Sequence, residues 1–89
     1  MHKSRADVFL AYLDGNVIKC ETVEDAVAIK TADDILRTGR AATASELQRL
    51  ASMLTRYNCP AAAENFSQRA SRQRAAEFLI HTTGHHTHG

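Results

Sequence analysis

Two sets of side chains in this sequence could do chemistry. The first is a run of arginines: Arg37, Arg40, Arg49, Arg56, Arg69, Arg72 and Arg74 are the only bases after Leu36. A guanidinium is always charged and carries a planar fork of donors suited to phosphate and carboxylate oxygens. Arg69, Arg72 and Arg74 stand among Gln68, Ser71 and Gln73, residue types that bond phosphate oxygens or base edges. At helical spacing Arg69 and Arg72 are neighbours, whereas Arg74 points away from them. Arg49 and Arg56, seven residues apart, share one helix face. These five arginines are the candidate contacts for a nucleic acid or an acidic partner.

The second set is the histidines His81, His85, His86 and His88, four of the five in the chain. Neutral imidazoles bind Zn²⁺, Ni²⁺ or Cu²⁺, and several on one short tract can hold a single ion. These four are the candidate metal ligands. A structural zinc site combining them with Cys20 and Cys59 fails on spacing. Such sites take ligands in close pairs, and these cysteines are thirty-nine positions apart. One disulfide between them is an open alternative, and two separate reduced thiols are the simpler reading. The four glycines, at 15, 39, 84 and 89, are too scattered for a phosphate-binding loop. No metalloprotease motif or nucleophile elbow is present. The expectation is a protein that is not an enzyme and needs no cofactor.

Charge is divided along the chain. Seven acids and four bases lie up to Leu36, and three acids and seven bases follow. The net charge of +1 and the pI of about 7.9 hide this division. Nucleic-acid-binding domains often have a pI above about 9, so a protein partner is favoured over a nucleic acid. The opening Met1-His2-Lys3-Ser4-Arg5 resembles the basic end of an export signal. The apolar run behind it, Val8 to Leu13, is shorter than the about 7–15 residues such a signal uses. No segment approaches the about 20 apolar residues that span a bilayer. The expected location is cytoplasmic, with no membrane partner.

Eighty-nine residues suit one domain. Alanine supplies fifteen of them, which favours helix but fills little core volume. A core this small makes self-association plausible. The first element is a β-hairpin, with Asp14-Gly15 between the apolar runs 8–13 and 17–21. Asp-Gly supplies the positive φ angles of a tight turn. With Asp14, Gly15 and Asn16 as a three-residue loop, Val8, Leu10, Tyr12, Ile18 and Cys20 fall on one face. Phe9, Ala11, Leu13, Val17, Lys19 and Glu21 fall on the other. The competing reading is a helix from Arg5 to Leu13, stopped by Gly15.

Thr22 caps a helix running to Thr38 and ended by Gly39. Its apolar stripe shifts part-way, which predicts a kink or a break near Lys30. Thr43 caps the clearest amphipathic helix, with Leu47, Leu50, Ala51, Leu54 and Tyr57 at spacings of three and four. Leu50 and Leu54 are its central core residues. Asn58-Cys59-Pro60 ends it, and Pro60 opens a last helix expected to reach about Ile80. That helix is polar through its middle and anchored at Phe78-Leu79-Ile80. The turn between these two helices lacks a glycine, and three alanines follow its proline, which argues against a helix-turn-helix.

The fold expected is α+β: an N-terminal β-hairpin followed by three α-helices, with an all-α bundle as the alternative. Residues 1–81 form one small globular domain, and residues 82–89 a disordered His-rich tail. The function expected is an interaction or regulatory module that binds another macromolecule, most simply a protein or a second copy of itself. A nucleic-acid-binding accessory protein using the arginines is the alternative, and metal binding by the tail is a further one.

Overall fold

The computed structural model describes the backbone of residues 8–88 and the side chains of residues 8–79. The order of elements is β1 (Phe9–Leu13), β2 (Asn16–Cys20), α1 (Val23–Thr38), α2 (Ala44–Arg56) and α3 (Pro60–His88). The fold is therefore α+β, a hairpin followed by three helices, and the all-α alternative and the helix over 5–13 are set aside.

The hairpin turn is tighter than expected. Asp14 and Gly15 both have positive φ, 52° and 84°, the signature of a two-residue primed turn. Asn16 is the first residue of β2 and pairs with Leu13. Shortening the loop by one residue turns β2 over relative to β1. Phe9, Ala11, Leu13, Ile18 and Cys20 now face the core, and Val8, Leu10, Tyr12, Val17 and Lys19 face outward. Leu13 and Val17 are both apolar, so the pattern of hydrophobicity accepts either register.

α1 starts where the sequence places it. Thr22 Oγ1 accepts the Asp25 N–H at 3.0 Å, and Glu24 and Asp25 lie in the first turn, where acids favour the helix dipole. α1 runs unbroken from Val23 to Thr38, and one stripe, Ile29, Ala32 and Ile35, is buried. Val23 and Val27 face solvent instead of starting a second stripe. Thr31 does not cap; its hydroxyl donates back to the Val27 carbonyl at 2.9 Å. Gly39, at φ 72°, stops the helix in the left-handed conformation, its N–H on the Ile35 carbonyl.

α2 is capped by Thr43, whose Oγ1 accepts the Glu46 N–H. It ends in a Schellman motif: the Cys59 N–H reaches Leu54 O, and the Asn58 N–H reaches Thr55 O. Asn58 takes the left-handed position (φ 61°) that glycine more often fills. Leu47, Leu50, Ala51, Met53 and Leu54 are buried, as their spacing predicts.

Among the described residues α3 packs mainly on α2. The seam is narrow: Ala63, Phe66 and Ala70 are its buried side chains. The other two helices close the core, with α1 lying mainly on β1. The far end of α3 departs from expectation. Phe78 is 67% exposed and Leu79 similarly so, because α2 begins at Ala44, opposite Glu77, and offers nothing beyond it. The backbone is helical through His88, past the end expected near Ile80. No proline interrupts it, and extending an existing helix needs no new nucleus. The side chains of the tail from Thr82 lie outside those described. No described helix is long and apolar enough to cross a membrane.

Candidate interaction surfaces

The five candidate arginines do not converge. Arg49 and Arg56 line an open groove between α1 and α2, about 510 Å³, together with Glu24, Asp25 and Glu46. The groove mixes both charges. Arg56 is also engaged: its Nη2 lies 3.3 Å from Asp25 Oδ1 and its guanidinium stacks over the Tyr57 ring.

Arg69 and Arg72 belong to a different place. They line a groove of about 370 Å³ between α3 and the α1–α2 connection, with Gln73 and Arg40. Arg69 is held by Asn65 Oδ1 at 2.6 Å and by stacking over Phe66. Arg72 is exposed. Arg40 approaches Asp34 at only 3.9 Å. Sequence spacing could not have added Arg40, because the fold brings it from the other side of α2. Arg74 stands apart from this groove and acts on Glu77, helping to lower its pKa.

Three acids hold elements together. Asp33 Oδ1 accepts the Asp14 N–H at the hairpin turn, which, with Arg37 beside it, holds its carboxyl below the usual range. Glu77 accepts the Ala44 N–H at the start of α2 and a bond from Gln73, and its pKa is lowered by them. Asp25 accepts from the Tyr57 hydroxyl at 2.5 Å, and this bond, with Arg56, depresses its pKa.

Both cysteines are free thiols, Cys20 buried and Cys59 half-buried. Burial, then the nearby Asp25 and Cys59, push the Cys20 thiol up. A protonated thiol is a poor nucleophile, so Cys20 reads as core packing, and Cys59 packs against the same core. Among the described residues no three His, Cys, Asp or Glu side chains gather as a metal site. The tail histidines lie outside the described side chains.

The surface that sequence reading missed is the outer face of the hairpin. Val8, Leu10, Tyr12 and Val17 are each at least half exposed, and Lys19 lies among them. Apolar residues on both faces of a two-stranded ribbon were visible in the sequence. Which face met the core depended on the turn. Beside β2 an open groove of about 680 Å³ separates the strand from the start of α3 and is lined by Ile18, Lys19, Cys59, Pro60, Ala61 and Ala62. In comparisons with known proteins, no family model matches the chain, and neither a curated protein nor a solved structure matches it.

Proposed function

We propose that this protein is a small non-catalytic module that binds another protein through the outer face of its hairpin. The observation that carries this reading is the set Val8, Leu10, Tyr12 and Val17, apolar side chains that stand together on the outer face of β1 and β2 and remain exposed. Contiguous apolar surface edged by charge marks protein contact sites more often than chance exposure does. Tyr12 adds a rigid amphipathic ring of the kind that anchors interfaces.

The test is retention from extracts of the native cell. A protein held by the wild type and lost in Leu10→Ser/Tyr12→Ser, with both chains folded and the extract nuclease-treated, supports the reading. Equal retention by both chains counts against it.

A second reading has its own observation. Arg40, Arg69 and Arg72 share one groove, and such a set suits a phosphate-bearing partner such as a nucleic acid. Against it stand the separation of Arg49 and Arg56 and the mixed charge around them. Nucleic acid recovered in place of protein would promote it.

A further inference from the structure

The backbone register of the hairpin leaves β2 with an unused bonding edge. Leu13 and Asn16 flank the two-residue turn and are the first paired residues, which makes them a hydrogen-bonded pair. Pairs then alternate. Ala11–Ile18 and Phe9–Cys20 are bonded pairs, while Tyr12–Val17 and Leu10–Lys19 are not. The N–H and C=O groups of Val17 and Lys19 therefore point away from β1. None of the described elements takes them up: the sheet has two strands, and α3 is not packed on β2. The groove beyond this edge has a low floor of small residues, Cys59, Pro60, Ala61 and Ala62.

We propose that the β2 edge pairs with the β2 edge of a second copy, giving a four-stranded antiparallel sheet across a two-fold axis at Ile18. This deepens the interaction reading above and rests on the hairpin being the contact element. The sequence of β2 is complementary to itself in this register. Val17 of one copy lies opposite Lys19 of the other, and the reverse, so each pair exchanges both free backbone bonds. No lysine sits directly opposite a lysine, an arrangement that would be destabilising. Lys19 has no carboxylate within salt-bridge distance among the described residues, and its methylene stem can lie along the opposing Val17. On the core side, the two half-buried Ile18 side chains meet at the axis, beside Cys59 and Ala62, which are also only half covered in the single chain. A two-stranded ribbon is marginal by itself, and free edges invite strand pairing. The dimer removes one edge from each copy and joins the two outer faces, with a Lys19 on either side of the axis.

The test is sedimentation velocity on the full chain over a concentration series. The wild type should move from 9.8 kDa toward twice that mass. Val17→Pro removes an outward N–H and leaves the bonds to β1 intact, so it should stay monomeric while keeping its circular dichroism. Val17→Glu sets a carboxylate against the partner's Lys19 twice and should tighten the dimer several-fold; Val17→Lys should loosen it several-fold. Both keep the N–H, so they report on pairing if the proline variant fails to fold. A wild type that is monomeric at every concentration overturns the inference. So does a dimer indifferent to the sign of charge at position 17, or one broken by Leu10→Pro at the β1 edge instead. Such results leave the outer-face reading standing, since retention of another protein by the Leu10 and Tyr12 surface is measured separately.

Discussion

The Tyr57 hydroxyl, at the end of α2, donates to the Asp25 carboxylate in the first turn of α1 and accepts the Glu21 N–H at 2.9 Å as the chain leaves β2. One side chain thus ties together the hairpin exit, the start of α1 and the close of α2. Arg56 flanks the pair and completes the cluster. The hairpin and α1 share one hydrophobic core with α2 and α3, and this cluster adds a polar tie between them.

Tyr57→Phe should lower the melting temperature at neutral pH, and the deficit should shrink in acid. Asp25 has a depressed pKa in the folded chain, owing first to Tyr57. A depressed carboxylate stabilises the fold above its unfolded pKa, about 3.9 for Asp, and that contribution is lost as pH falls through the folded value. In the variant the Asp25 pKa rises back toward the ordinary range, so wild type and variant converge as both are protonated. Urea unfolding at a series of pH values checks this. A deficit that does not change with pH would assign the loss to packing.

Leu54→Ala and Phe66→Ala should each come close to unfolding the chain. Both side chains are fully buried, on facing sides of the α2–α3 seam. Core truncations of this kind cost about 2–5 kcal/mol, against a total stability of about 5–15 kcal/mol that small domains only just reach. Denaturant titration reads the effect. A loss below about 1 kcal/mol at either site would mean that the seam is not where the core lies.

Thr22→Ala and Thr43→Ala should each cost about 1 kcal/mol, the usual loss when a capping hydroxyl is removed. Thr43 caps the start of α2, whereas Thr22 shares Asp25 with Tyr57 at its close, so the double variant should show the sum. A markedly smaller sum would place α1 and α2 in contact through their caps.

Arg69→Gln/Arg72→Gln should change little in nucleic-acid binding, because little is expected at physiological salt. If the groove does hold phosphates, log affinity falls with log salt at about −0.9 per duplex contact. The double variant would then flatten that slope. Fluorescence anisotropy with duplex and single-stranded probes decides between the outcomes.

A chain ending at His81 should keep its melting temperature and lose the affinity for Zn²⁺ or Ni²⁺ that His85, His86 and His88 would supply. Calorimetry reads both. A large drop without metal would show that the tail contributes to packing.

The elements were legible because their punctuation is chemical. Asp14-Gly15, the caps Thr22 and Thr43, Gly39 and Pro60 each demand a backbone state, and each sits where that state occurs. The register was less legible. Asn16 suits a loop or a strand end, and Leu13 and Val17 are apolar either way, so one residue of loop length decided which side of β2 was exposed. The fate of Phe78 was hidden for another reason. Its burial depends on how far back α2 reaches, and α2 begins level with Glu77. Likewise, Arg40 joins Arg69 and Arg72 only through the packing of α3 on α2.

The seam between α2 and α3 has a further implication. Ala63 and Ala70 sit on either side of Phe66, and all three are buried. Two methyl groups and one ring thus set how near the helix axes come, within the about 8–10 Å that helix pairs span. The alanines behave as spacers and the phenylalanine as a peg. A larger residue in place of either alanine would pry the helices apart from one end, tilting α3 about Phe66. The angle at which α3 leaves the body of the protein is therefore tuned by two single methyl groups.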